Sequence, residues 1–199
     1  MPVLFITQNF LKIQPLKFCA KCIIILNRIK RGEKMEERVT KAVQDYYPDS
    51  FATCYGCGRL NEKGHHFRTG WLGDKTITIY TPLPEYMGGI PGFAYGGIVA
   101  SLIDCHSAGS ASLYVLRKNG NELGDGTEPP RFVTGTLKVE YKHPTPLGVP
   151  LKAIGTVTEI HPKKYRIDTE VFAEDKVVVT GEVIMVMMPE KFRETVKQK

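Results

Sequence analysis

No stretch of the 199-residue chain approaches the ~18 consecutive apolar residues that a membrane span needs. Near the N-terminus an apolar burst, Cys22-Ile23-Ile24-Ile25-Leu26, is followed after Asn27 by the basic Arg28, Lys30 and Arg31. No small-residue cleavage site follows that burst, so it does not read as a secretory leader. The five cysteines are an odd number, which argues against a disulfide framework and for a reducing, cytosolic compartment. Compositional bias is missing too: 42% hydrophobic and 24% charged residues exclude intrinsic disorder and collagen-like repeats. Finally, the body of the chain lacks an excess of either charge. Residues 1–34 carry seven Lys or Arg against the single acid Glu33, which accounts for the whole net charge of +6. A near-neutral body leaves no basic groove for a phosphate backbone, so neither nucleic acid nor membrane is expected as a partner.

The chain has room for one domain and an appendage. Residues 1–40 show no clean period and read as an N-terminal extension, with Met35 a candidate for the true start; residues 41–199 read as the domain. Two C-x-x-C pairs, Cys19/Cys22 and Cys54/Cys57, are 31 residues apart, more than a zinc ribbon uses. His65 and His66 could complete a site with Cys54 and Cys57, but no metal and no cofactor is expected.

A helix is expected over 36–47, stopped by Pro48. Residues 65–72 and 75–80 read as strands joined by Gly73-Asp74. A Gly/Pro-rich loop, 87–97, leads into a long helix that runs from Ile98 to Lys118 and ends at Asn119-Gly120. That helix is apolar almost all round, so it should be buried. Alternating stretches at 132–141, 151–160, 165–172 and 176–188 complete the pattern, with Glu174-Asp175 turning between the last two. The class is α+β, an antiparallel sheet packed around one helix, and the element order fits a hot-dog fold.

The segment from Pro91 to Asp104 resembles the acyl-CoA thioesterases of the hot-dog superfamily, in the phenylacetate-thioesterase-like (PaaI-type) branch. That branch has a loop ending His-Gly-Gly and an acidic residue nine positions after the His. Here Gly96-Gly97 and Asp104 match, while Tyr95 stands where the branch has His. The Cys54-Tyr55-Gly56-Cys57-Gly58 leader and the segment from Val139 to Gly148 are similar as well, so the likeness spans about 51–190. It implies hydrolysis of an acyl-CoA thioester, with Asp104 as general base or nucleophile and Gly97, helped by Gly96, polarising the carbonyl.

The residue types suit that chemistry. Amides at a helix N-terminus can stabilise the charge that develops on a carbonyl oxygen. Asp104, set among Ile98, Leu102 and Ile103, is expected to be buried, or else satisfied by Ser101 or Ser107. Gly97 and Asp104 are about 10 Å apart along one helix, at 1.5 Å per residue. One helix therefore cannot bring both to one thioester, which predicts a site shared within a dimer or dimer of dimers. Tyr95 could donate to the carbonyl, and Phe93, Val99 or Leu102 could floor the acyl pocket. Arg131 and Lys142 are the candidates for coenzyme A phosphates. His106 points about 200° away from Asp104 and cannot pair with it, and Cys105 reads as a small buried hydrophobe. The rival readings are a hot-dog hydratase or dehydratase, a non-catalytic acyl-CoA binder, and a zinc-dependent nucleic-acid module.

Overall fold

The computed structural model describes residues 39–197. The extension expected over 1–40 lies outside them apart from its last two residues. The elements are β1 (Thr69–Leu72), β2 (Lys75–Tyr80), α1 (Gly96–Lys118), β3 (Phe132–Tyr141), β4 (Leu151–His161), β5 (Lys164–Ala173), β6 (Lys176–Met187) and α2 (Glu190–Lys197). Six strands form one antiparallel sheet in the order β1-β2-β4-β5-β6-β3. The strand after the long helix therefore crosses to the far edge. Helix α1 packs against all six strands. This is the hot-dog arrangement.

Period-2 alternation sends Tyr165, Ile167 and Val171 of β5 and Val179, Val183 and Met185 of β6 inward, each at most 1% exposed. They meet Ile98, Val99, Leu102 and Ile103 of α1, also buried to 1% or less. Val99 and Leu102 are thus core residues and floor no open pocket.

The helix buries polar groups as well, and apart from the Ser107 hydroxyl these are paired. Thr78 Oγ1 lies 2.9 Å from His106 Nδ1, and the Ser110 hydroxyl donates to the His106 carbonyl at 2.7 Å. Thr76 Oγ1 is 2.6 Å from Ser110 Oγ, and Thr69 Oγ1 is 2.9 Å from Thr78 Oγ1. Gln44 closes the network, accepting from the Thr69 amide at 2.8 Å. The sheet backbone comes close here: a Cβ on Gly155 would lie 2.5 Å from His106 Nε2, so only glycine fits.

Two expectations change. Within the described residues, the helix expected over 36–47 is a 3₁₀ turn, Val43–Tyr46. Gln44 is tied to Thr69, and Val43 and Tyr47 pack on Leu113 and Leu116, so tertiary contacts override local propensity. The strand expected at 65–72 starts only at Thr69, because His66 adopts φ 54°. His65 and Phe67 instead pair through their amides with the Tyr55 and Gly56 carbonyls. The short helix α2 is an addition to the expected elements; its Arg193 bridges to Glu128 at 2.7 Å. The remaining strand and helix bounds agree within one or two residues.

Burial holds the His106 imidazole neutral, its pKa pushed down to about 3. Burial also lowers His65. A base whose folded pKa is depressed contributes full stability above its unfolded pKa, near 6.5, and loses it as pH falls below that value. The unfolding free energy from urea titrations should therefore fall between pH 7 and 5, by up to about 1.4 kcal/mol per pH unit for one proton. Constant stability over that range would contradict a buried neutral His106.

Candidate functional site

Helix α1 starts without a side-chain cap: Tyr95 occupies the N-cap but makes no capping hydrogen bond. The first amides are thus left for an external acceptor. The loop before it is docked, because the Ala94 amide donates to the Thr145 carbonyl at 2.8 Å and Phe93 bridges to Pro146. Gly88 and Tyr95 close the loop on itself through the Phe93 and Tyr86 carbonyls. Phe93 is half-buried, and it alone of the three floor candidates borders open space.

Of the helix residues between Gly97 and Ala108, the sheet leaves only Ala100, Ser101, Asp104 and Ala108 partly exposed. At 100° per residue, Gly97, Ser101, Asp104 and Ala108 fall within about 60° of one another, so they form one stripe. Asp104 is consequently half-exposed, contrary to the expectation of a buried carboxylate. The reason is the helical phase: Ile98, Leu102 and Ile103 turn into the sheet and Asp104 turns out. Its partner is neither Ser101 nor Ser107 but Thr134 of β3, whose hydroxyl donates to Asp104 Oδ1.

Strand β3 runs antiparallel beside this stripe. The Ser112 hydroxyl donates to the Pro130 carbonyl at 2.7 Å, Thr134 reaches Asp104, and the Tyr141 hydroxyl donates to the Gly96 carbonyl at 2.7 Å. Nothing local in the sequence marks Thr134 and Tyr141 for these contacts, since their role comes from the crossover that lays β3 along α1. The free edge of β3 is long, and Leu137 and Tyr141, on the helix side of the sheet, are 39% and 52% exposed.

Arg131 and Lys142 stand at opposite ends of β3, roughly 35 Å apart at 3.3 Å per residue, so one chain does not bring them together. The Arg131 guanidinium lies 3.7 Å from the Tyr47 ring centroid, a cation–π contact. It is thereby engaged in the fold, and its candidacy for coenzyme phosphate weakens. Lys142 is exposed and pairs with Glu140 at 2.5 Å. Hydrogen bonds from Lys138 and Lys142 hold the Glu140 carboxyl down to about 2.

The cysteines are grouped differently from the expectation. Cys54 and Cys57 meet Cys105 of α1, not the histidines; the His65 ring packs among Tyr55, Phe67, Tyr80 and Tyr86. Hydrogen bonds from Cys105 and Cys57 pull the Cys54 thiol far below its ordinary value, while its hydrogen bond to Cys54 pushes Cys105 well above. His106 faces the core, away from Asp104, as the helical phase requires.

Among solved structures, the thioesterase superfamily protein of Shewanella loihica PV-4 is 35% identical over 71% of this chain and 98% of its own, with a TM-score of 0.53. A second thioesterase superfamily protein aligns at 21% identity over 83% of this chain and 79% of its own, with a TM-score of 0.54. The PaaI protein of the E. coli phenylacetic acid degradation operon aligns at 14% identity over 63% and 81%, with a TM-score of 0.50. The last two are similar in fold alone. No family model matches the sequence, and no curated protein does.

The Tyr95 ring leans over the helix start. A Cβ added at Gly97 would lie 2.2 Å from Tyr95 Cε2, so the ring would have to swing away. Gly97→Ala should therefore be more favourable in a Tyr95→Ala background than in the parent, with a coupling of about 0.5–3 kcal/mol in urea unfolding. Additive effects would mean that the ring does not rest there.

Proposed function

The chain belongs to the thioesterase superfamily, and on that footing we propose that it hydrolyses an acyl-CoA thioester to a free acid and coenzyme A. The observation that carries this reading is the stripe on α1, which aligns the uncapped Gly96-Gly97 start, Ser101 and Asp104 on the one helix face that the sheet leaves open. The Gly96-Gly97 and Asp104 spacing supports the PaaI-type branch. Attack needs the catalytic group within about 3–3.5 Å of the carbonyl carbon, directly or through one water. The ~10 Å between Gly97 and Asp104 on one helix favours two antiparallel helices from paired copies. The open β3 edge and its exposed Leu137 and Tyr141 support the same pairing.

In this mechanism the amides at Gly96 and Gly97 of one copy polarise the thioester carbonyl. Asp104 of the other takes a proton from water, whose oxygen bonds to the carbonyl carbon. The C–S bond then breaks, and the leaving thiolate receives the proton. Direct attack by the carboxylate is the variant of the same scheme. Thr134 holds one Asp104 oxygen and leaves the second free for the water. Ser101 and Phe93 face the acyl group, and Lys142 is the candidate for a coenzyme phosphate. A second reading, a non-catalytic acyl-CoA binder, is favoured by the Tyr95 ring over Gly97, which narrows access to the amides.

A panel of short, aromatic and long-chain acyl-CoA esters, followed by release of free thiol, tests both readings. Binding without thiol release identifies the binder. For the enzyme, Asp104→Asn should lower kcat at least ~100-fold with the fold and assembly intact. Turnover within a few-fold of the parent would leave Asp104 a structural residue.

Mixed assemblies test the shared site. Chains carrying Asp104→Asn and chains carrying Gly97→Val, each inactive alone, should regain part of the activity after subunit exchange. No recovery despite verified exchange rules out a site built from two copies.

A further inference from the structure

The three cysteines lie outside the proposed acyl-transfer stripe, and the mechanism does not use them. Cys54 and Cys57 sit in the turn that precedes His65, and Cys105 sits in the middle of α1, one residue beyond Asp104. Their Sγ atoms all lie within 4.8 Å of one another, and Cys54 Sγ is 4.0 Å from Cys105 Sγ. A disulfide requires about 2.05 Å. Thiolates bound to one zinc at about 2.3 Å stand about 3.8 Å apart on a tetrahedron's edge. The sulfurs are too far apart for a disulfide, and their 4.0 Å approach is within about 0.2 Å of the spacing that a shared ion would set.

The backbone builds this arrangement. The Gly58 amide donates to the Cys54 carbonyl at 2.8 Å, which closes the C-x-x-C turn and aims both side chains the same way. The turn is tied to the segment leading into β1 by the Phe67 amide, which donates to the Gly56 carbonyl at 3.0 Å. At the contact itself, a Cβ on Gly56 would lie 2.3 Å from Cys105 Sγ, so a glycine is required for the loop to close over the third sulfur. Cys57 and Cys105 are buried and Cys54 is exposed, which gives an ion a protein-lined seat with an entry path from solvent.

We propose that Cys54, Cys57 and Cys105 form a three-thiolate zinc site, with water in the fourth position on the Cys54 side. Thiolate sets select zinc or copper(I) over harder ions, and a tetrahedral site open at one vertex suits zinc. The ion would clamp the loop that holds Cys54 and Cys57 to α1, directly behind Asp104. This assignment stands independently of the thioesterase reading.

The test uses the full chain, expressed with zinc in the medium, dialysed and measured by elemental analysis. It should hold about one zinc per chain, and cobalt(II) substitution should give the near-ultraviolet thiolate-to-cobalt band and the visible bands of tetrahedral cobalt. Cys54→Ser and Cys57→Ser should abolish both signals. The Cys19→Ser/Cys22→Ser double variant should keep them. Cys54 is exposed, so its variant should fold, which circular dichroism verifies, and it decides the outcome if Cys105→Ser does not fold. Zinc well below stoichiometry in the parent, copper in place of zinc, or zinc retained by a folded Cys54→Ser chain would each overturn the proposal.

Discussion

The rest of this structure depends on the burial of one helix on nearly every side. Helix α1 has 23 residues, of which 14 are buried, and all six strands touch it. A helix so enclosed cannot dispose of polar side chains in solvent, so His106, Ser110, Thr76, Thr78 and Gln44 must satisfy one another. An unpaired member of that group would cost about 1–3 kcal/mol. The network also fixes the rotation of the helix about its axis, since His106 fits only where Gly155 leaves room.

That rotation decides where Asp104 goes. With His106 and Leu102 committed to the sheet, the stripe through Gly97, Ser101, Asp104 and Ala108 is what remains outside. An ionised carboxylate on this stripe keeps part of its hydration, and the Thr134 hydroxyl supplies a further donor, so the chain avoids the large penalty of a buried unpaired charge. In the proposed assembly a second copy would cover the stripe, and desolvation of Asp104 would then accompany pairing. The catalytic group would be held in an aqueous setting until the site is complete.

The cysteine cluster obeys the same logic from the other side of α1. Cys105 follows Asp104 and so points about 100° away, towards the loop that carries Cys54 and Cys57. One short run of helix thus faces a carboxylate to the open stripe, a thiol to the loop and an imidazole to the core.

Much of this was legible in the chain itself. The alternation at 75–80, 132–141, 151–160, 165–172 and 176–188 gave the strands, and the apolar run after Gly97 gave the buried helix, because period and burial are local signals. The spacing of Gly96-Gly97 and Asp104 marked the stripe, since residues seven apart share a helix face whatever surrounds them. What folding alone decided is which distant groups meet. Residues 43–46 form a 3₁₀ turn because Gln44 is claimed by Thr69, 25 residues away. Thr134 reaches Asp104, Tyr141 reaches Gly96, and Cys105 joins Cys54 across 51 residues because the crossover and the loop bring them there. Periodicity reports which way a side chain faces within its own element; it carries no information about what the rest of the chain places opposite, and only the packed sheet and helix settle that.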